Sequence, residues 1–124
     1  MISFRTKMNG TGDLVKKLVK LAGPEVTRTA MSDALEAGAE VYAERMRQLV
    51  PVKTGRTQSK IEVKKIKDDY AAMVNSPIAH LVEFGTKKAS AKPFVRPAAD
   101  EMKSVAQRTV ADHLARQIAR VAGV

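Results

Sequence analysis

The chain has 124 residues, which suffices for one domain spanning residues 1–124 with a real core and not for two. With 44% hydrophobic and 28% charged residues it reads as globular, and the absence of cysteine excludes disulfides, thiolate chemistry and cysteine metal sites. A net charge of +9 points toward acidic proteins, nucleic acid or anionic surfaces as partners, and says nothing about fold.

No apolar run approaches the roughly 20 residues that cross a bilayer. Arg5 and Lys7 interrupt what would be the apolar segment of a leader, so synthesis in the cytoplasm is expected, with no membrane partner.

Residues 1–9 alternate, with Ile2, Phe4, Thr6 and Met8 opposite Ser3, Arg5, Lys7 and Asn9, which predicts a half-buried strand. Gly10-Thr11-Gly12 ends it, and Asp13 can cap a short helix. Its apolar side is Leu14, Leu18 and Leu21, joined by Val15 and Ala22, and its wet side Lys16, Lys17 and Lys20. Gly23-Pro24 stops that helix and a long one follows from Pro24 to Leu49. Met31, Ala34, Leu35, Gly38, Val41, Tyr42, Arg45, Met46 and Leu49 recur at helical spacing, opposite Asp33, Glu36, Glu40, Glu44 and Arg47. Its alanines and Gly38 make a thin face that a second helix can approach closely. Glu40 and Glu44 repel mildly one turn apart.

Residues 51–60 read as a polar loop around the Lys53-Thr54-Gly55-Arg56 turn. Ile61, Val63 and Ile66 predict a strand with an irregularity, Asp68-Asp69 a hairpin turn, and Tyr70, Ala72 and Val74 the return strand. A short helix over 78–84 should turn Ile78, Leu81, Val82 and Phe84 inward. Gly85 can end it with a positive φ, and Lys87 to Lys92 form an exposed loop. Pro93 and Pro97 bias Lys92 and Arg96 toward extended backbone, and Pro97 suits the first position of a final helix running to Val121. That helix carries Ala98, Met102, Val105, Thr109, Leu114, Ile118 and Val121 as its stripe. Asp100 and Glu101 would lie in its first turn, Arg116 and Arg120 in its last. The order β-α-α-β-β-α-α gives an α+β class: a small, mostly antiparallel sheet packed against two long helices and one or two short ones.

The chemical inventory argues against an enzyme. His80 and His113 fit no metal-ligand spacing, and Thr54-Gly55-Arg56 lacks the glycines and lysine of a phosphate loop. No catalytic, metal or cofactor residue is expected. Phe84 and Phe94 flank the loop and are expected to anchor it in the core. Glu83 and Arg96 are expected to hold the loop across its base, as a salt bridge or by capping backbone groups, or else to face a neighbouring subunit. The lysines at 53, 60, 64, 65 and 67, with Arg56, read as a solvated hairpin edge, an interface for acidic partner surfaces, or a contact for DNA phosphates.

Three stretches in order, Val50-Pro51-Val52-Lys53-Thr54-Gly55-Arg56, Ala79-His80-Leu81-Val82-Glu83-Phe84-Gly85-Thr86 and Pro93-Phe94-Val95-Arg96-Pro97-Ala98, resemble a family at similar spacing. It is the small tail-completion or neck proteins of long-tailed bacteriophages, labelled minor tail components. Thr57-Gln58-Ser59-Lys60 departs from it, being wholly polar where the family has a hydrophobic residue and a serine. The resemblance implies a structural virion protein at the tail end or neck of a phage, prophage or phage-like particle that helps join tail to head. It would do so by assembling with itself in a ring, a hexamer when assembled, against neck, tail-terminator or tail-tube proteins, with transient proximity to DNA. The implied interface and loop-anchoring residues are Lys53, Thr54, Gly55, Arg56, Glu83, Phe84, Gly85, Thr86, Pro93, Phe94, Arg96 and Pro97. A small basic DNA-binding module is the alternative.

Overall fold

The computed structural model describes residues 2–5, 12–51, 56–66, 69–75, 79–88 and 90–123. The elements are β1 (Ile2–Arg5), α1 (Gly12–Ala22), α2 (Pro24–Leu49), α3 (Arg56–Ser59), β2 (Ile61–Ile66), β3 (Asp69–Val74), α4 (Ala79–Phe84) and α5 (Val95–Val121). The strands form one antiparallel sheet in the order β1-β3-β2, so the class is α+β.

The long second helix has the bounds its sequence dictates. Gly23 adopts φ 86°, a conformation only glycine takes cheaply, and Pro24 starts α2 where a missing N–H costs nothing. Its buried face is mostly small: Ala30, Ala34, Gly38, Ala39 and Ala43, with Leu35, Tyr42 and Met46 between them. Such a face admits close helix packing, and α2 makes its broadest contact with α5. One core cluster joins Tyr42, Ala43 and Met46 of α2 to Ile61, Ala72 and Val74 of the sheet and to Phe94, Val95 and Ala98. A second, toward the other end of the long helices, joins Leu18 of α1 to Ala30 and Ala34 of α2 and Val110 and Leu114 of α5. Polar ties fix the helices laterally. Arg45 meets the Glu101 carboxylate at 2.7 Å, and the Ser32 and Tyr70 hydroxyls lie 3.0 Å apart.

Several sequence expectations are corrected. β2 pairs with β3 residue for residue from Ile61↔Val74 to Ile66↔Asp69, so it has no irregularity; Ile66 falls on the face opposite Val63. Asp69 belongs to β3 and not to a turn; Lys67 and Asp68 lie outside the described residues. The polar stretch before β2 holds a short helix, α3, held by the Gln58 amide donating to the Arg47 carbonyl at 3.0 Å. Asp13 lies within the first turn of α1 and is not its cap. Leu21, Leu81 and Val105 are exposed although periodicity assigned them to buried faces. α5 begins at Val95, two residues early, which moves Asp100 and Glu101 out of its first turn; only Arg120 of the two arginines lies in the last. The expected strand residues 6–9, and Ile78, lie outside the described residues.

The repulsion between Glu40 and Glu44 is relieved by Arg47, whose guanidinium lies 2.7 Å and 3.3 Å from the two carboxylates. Hydrogen bonding to Glu40 is the main cause that pushes the Arg47 pKa upward. These groups are partly exposed, and pairs of this kind contribute little individually. Apolar burial therefore dominates. Leu114→Ala, which removes a fully buried side chain from the α1–α2–α5 cluster, should cost about 2–5 kcal/mol, read by denaturant unfolding.

Candidate functional site

The conspicuous local arrangement is at the base of the loop between α4 and α5. Four amide positions at the start of a helix have no intrahelical acceptor. In α5 these belong to Phe94, Val95, Arg96 and Pro97. The Glu83 carboxylate, itself only 5% exposed, takes three of them. One oxygen, Oε2, accepts from the Phe94 N–H at 2.7 Å and the Val95 N–H at 2.9 Å, and Oε1 accepts from the Arg96 N–H at 3.0 Å. Pro97 has no N–H to satisfy. The next amide, Ala98, donates to the Phe94 carbonyl at 3.4 Å and begins the helical ladder. Every donor at this helix end is thereby accounted for. Pro97 sits third in the helix, and not first as expected, because Glu83 allows the helix to begin before it.

Burying a carboxylate is costly unless hydrogen bonds and local positive potential offset the lost hydration. Here both are present: charge-assisted bonds to backbone N–H, and the positive end of a 27-residue helix. A second tie closes the loop, the Lys92 N–H donating to the Val82 carbonyl at 2.8 Å. α4 itself ends by the Gly85 N–H bonding the Leu81 carbonyl at 2.8 Å, with Gly85 at φ 79°. Within the loop the Lys88 N–H reaches the Thr86 hydroxyl at 3.2 Å.

The two phenylalanines separate. Phe94 is fully buried in the core against the sheet, as expected of an anchor. Phe84 is 62% exposed and is not a core anchor. The reason is helical geometry: Glu83 must point inward to reach α5, and the adjacent position on a helix, about 100° away, points out. Leu81, one turn back from Phe84, is also exposed, and the Arg96 guanidinium lies 6.0 Å from the Phe84 ring centroid. Glu83 and Arg96 thus make no salt bridge; the carboxylate serves backbone and the cation an aromatic face. Pro93, Thr86, Lys87, Lys88 and Lys92 are exposed around this surface.

The Lys53–Arg56 stretch is described only in part. Lys53, Thr54 and Gly55 lie outside the described residues, and Arg56 opens α3. Arg47, Arg45 and Glu101 were missed as structural ties. Their signal, a charge on a helix flank, is shared by every solvated residue nearby. Among the described residues no cluster of three His, Asp or Glu side chains could hold a metal, and no helix is long and apolar enough to cross a membrane.

A family model described as "Bacteriophage HK97-gp10, putative tail-component" matches residues 12–85. That is more than half of the chain, and the chain belongs to this HK97-gp10-like family of phage tail components. The matched stretch runs from α1 through Glu83 to the glycine that ends α4, and stops before Pro93–Ala98. Neither a curated protein nor a solved structure matches.

Glu83→Gln keeps the shape but sets an NH2 against an N–H donor, and should cost about 1–3 kcal/mol in denaturant unfolding. Phe94→Ala should cost about 3–5 kcal/mol. Phe84→Ala should stay within about 0.5 kcal/mol of wild type in the same measurement. A large loss from Phe84→Ala would mean that its side chain supports the fold.

Proposed function

We propose that this tail component, acting as one domain, completes the head-proximal end or neck of a phage tail and helps join tail to head as a ring of copies. The observation that carries this reading is an exposed aromatic on a rigidly held helix end. Phe84 projects beside Arg96 and Leu81 from a segment that Glu83 and Lys92 bind to the core. Aromatic residues and arginine are the side chains that most often dominate protein interfaces, and a fixed base removes the entropy of ordering them on docking. Membership of a tail-component family supplies the setting.

In a ring each copy offers one surface to a neighbour and receives a different one, a contact that closes by rotation. The Phe84–Arg96 surface is the first candidate for such a contact, with the Lys53–Arg56 stretch as the second. Sixfold symmetry is what the resemblance to tail-completion proteins implies for such a ring. The further partners are neck, tail-terminator or tail-tube subunits, and the work of the protein is assembly, not catalysis. The net charge of +9 favours the second reading, a small DNA-binding module. Phosphate-driven affinity falls steeply with salt, so retention of duplex DNA at physiological salt would favour that reading over the first.

The test is complementation of a phage or prophage from which the gene is deleted, scored by electron microscopy. Deletion should leave separate heads and tails or tails of defective end structure. Wild-type protein should restore joined particles, and folded Phe84→Ala should fail to do so. Normal joined particles without the gene would contradict the proposal.

A further inference from the structure

β2 lies at the edge of the sheet, and the register decides which of its backbone groups are already used. The Asn75 N–H donates to the Lys60 carbonyl at 3.0 Å, which makes these two residues a hydrogen-bonded pair. In an antiparallel ladder such pairs recur at every second residue. Glu62, Lys64 and Ile66 therefore turn their N–H and C=O groups toward Met73, Ala71 and Asp69 of β3. Ile61, Val63 and Lys65 turn theirs away from the sheet. The outward carbonyl of Ile61 is met by the Arg47 guanidinium at 3.2 Å. Among the described residues, no backbone bond reaches the outward groups of Val63 and Lys65.

The side chains along this edge select among strands that could pair with it. Lys60, Lys64 and Lys65 are exposed, and the one acid on the strand, Glu62, lies 3.8 Å from the Lys64 ammonium. A second copy of β2 paired about Lys64 or Lys65 would bring lysine against lysine, which is unfavourable across a strand pair. A strand bearing carboxylates would meet opposite charge at the same positions. Arg47, drawn to Ile61 by its bond and held by Glu40 and Glu44, covers one end of the edge and limits the open stretch to its other end.

We propose that the outer edge of β2, at Val63 and Lys65, receives an extended acidic segment of another virion protein as a fourth strand of the sheet. The protein origin of that partner rests on the assembly reading above; the open edge itself does not. Main-chain bonds to Val63 and Lys65 would supply attachment and register, and the lysines the choice of an acidic sequence. This surface is separate from the Phe84–Arg96 surface, since one lies on a sheet edge and the other on α4 and α5.

The experiment is titration of the full chain with an alternating Glu–Val peptide of strand length, followed by amide hydrogen exchange and compared with a Lys–Val peptide. Binding of the acidic peptide alone, with new protection at the Val63 and Lys65 amides, is the expected result. Lys65→Gln removes the charge and keeps the amide, whereas Lys65→Pro removes an N–H that the β2–β3 ladder does not use. Affinity should fall by about tenfold or more for Lys65→Pro relative to Lys65→Gln. Absence of binding, binding without protection at these amides, equal loss in the two variants, or equal displacement by duplex DNA would each overturn the proposal. Should Lys65→Pro fail to fold, the protection pattern on the wild-type chain decides. A negative result here, with Phe84→Ala still blocking head–tail joining, would remove the edge proposal and leave the assembly reading standing.

Discussion

The carboxylate of Glu83 at the start of α5 is the constraint on which the proposed docking end of this protein depends. It takes the amides of Phe94, Val95 and Arg96, and Pro97 removes the need for a fourth acceptor. A short helix and a long one, separated in sequence by a basic loop, are thereby locked at a fixed spacing. The bond from Lys92 to Val82 closes the same base from the other side. Without such an acceptor, the first turn of α5 would have to leave buried N–H groups unpaired against the core that Phe94 enters. The charge of Glu83 is tolerated because these amides and the helix dipole stand where water would otherwise be.

From that lock follows the division of the neighbouring side chains. Phe94 is directed into the cluster formed by α2 and the sheet, and Phe84 to the surface beside Arg96. The rest of the fold supplies a stiff support for this end. α2 and α5 pack along small-residue faces, Arg45 ties them through Glu101, and α1 closes their far end through Leu18. For a tail component whose work is to dock on other subunits, rigidity in the unbound chain lowers the entropy lost on association.

Much of the fold was legible in the sequence, because α2 announces itself by sustained periodicity bounded by Gly23-Pro24 and Val50-Pro51, and β3 by alternation. The class, the order of the main elements and the Gly85 turn follow from the same local signals. What was not legible depends on contacts between distant residues. The start of α5 at Val95 requires a carboxylate twelve residues earlier, so proline chemistry alone set it two residues late. The inward reading of Phe84 and Leu81 came from hydrophobicity, which on a helix of six residues is outweighed by the demand that Glu83 face inward. The apparent irregularity in β2 arose from treating Ile66 as a core residue, when pairing with Asp69 sets it on the other face. The Glu83–Arg96 relation was half legible: the cap was among the alternatives, and the placing of the Arg96 guanidinium 6.0 Å from the Phe84 ring centroid was not.

The most direct measurement on this account is site-resolved amide hydrogen exchange in the free protein at neutral pH. If Glu83 caps α5, the amides of Phe94, Val95 and Arg96 should exchange slowly, at rates near those of the interior of α5, although they lie at a helix end where amides ordinarily exchange fast. Exchange at these three positions as rapid as at the exposed Lys87 would contradict the cap, and with it the fixed presentation of Phe84 and Arg96.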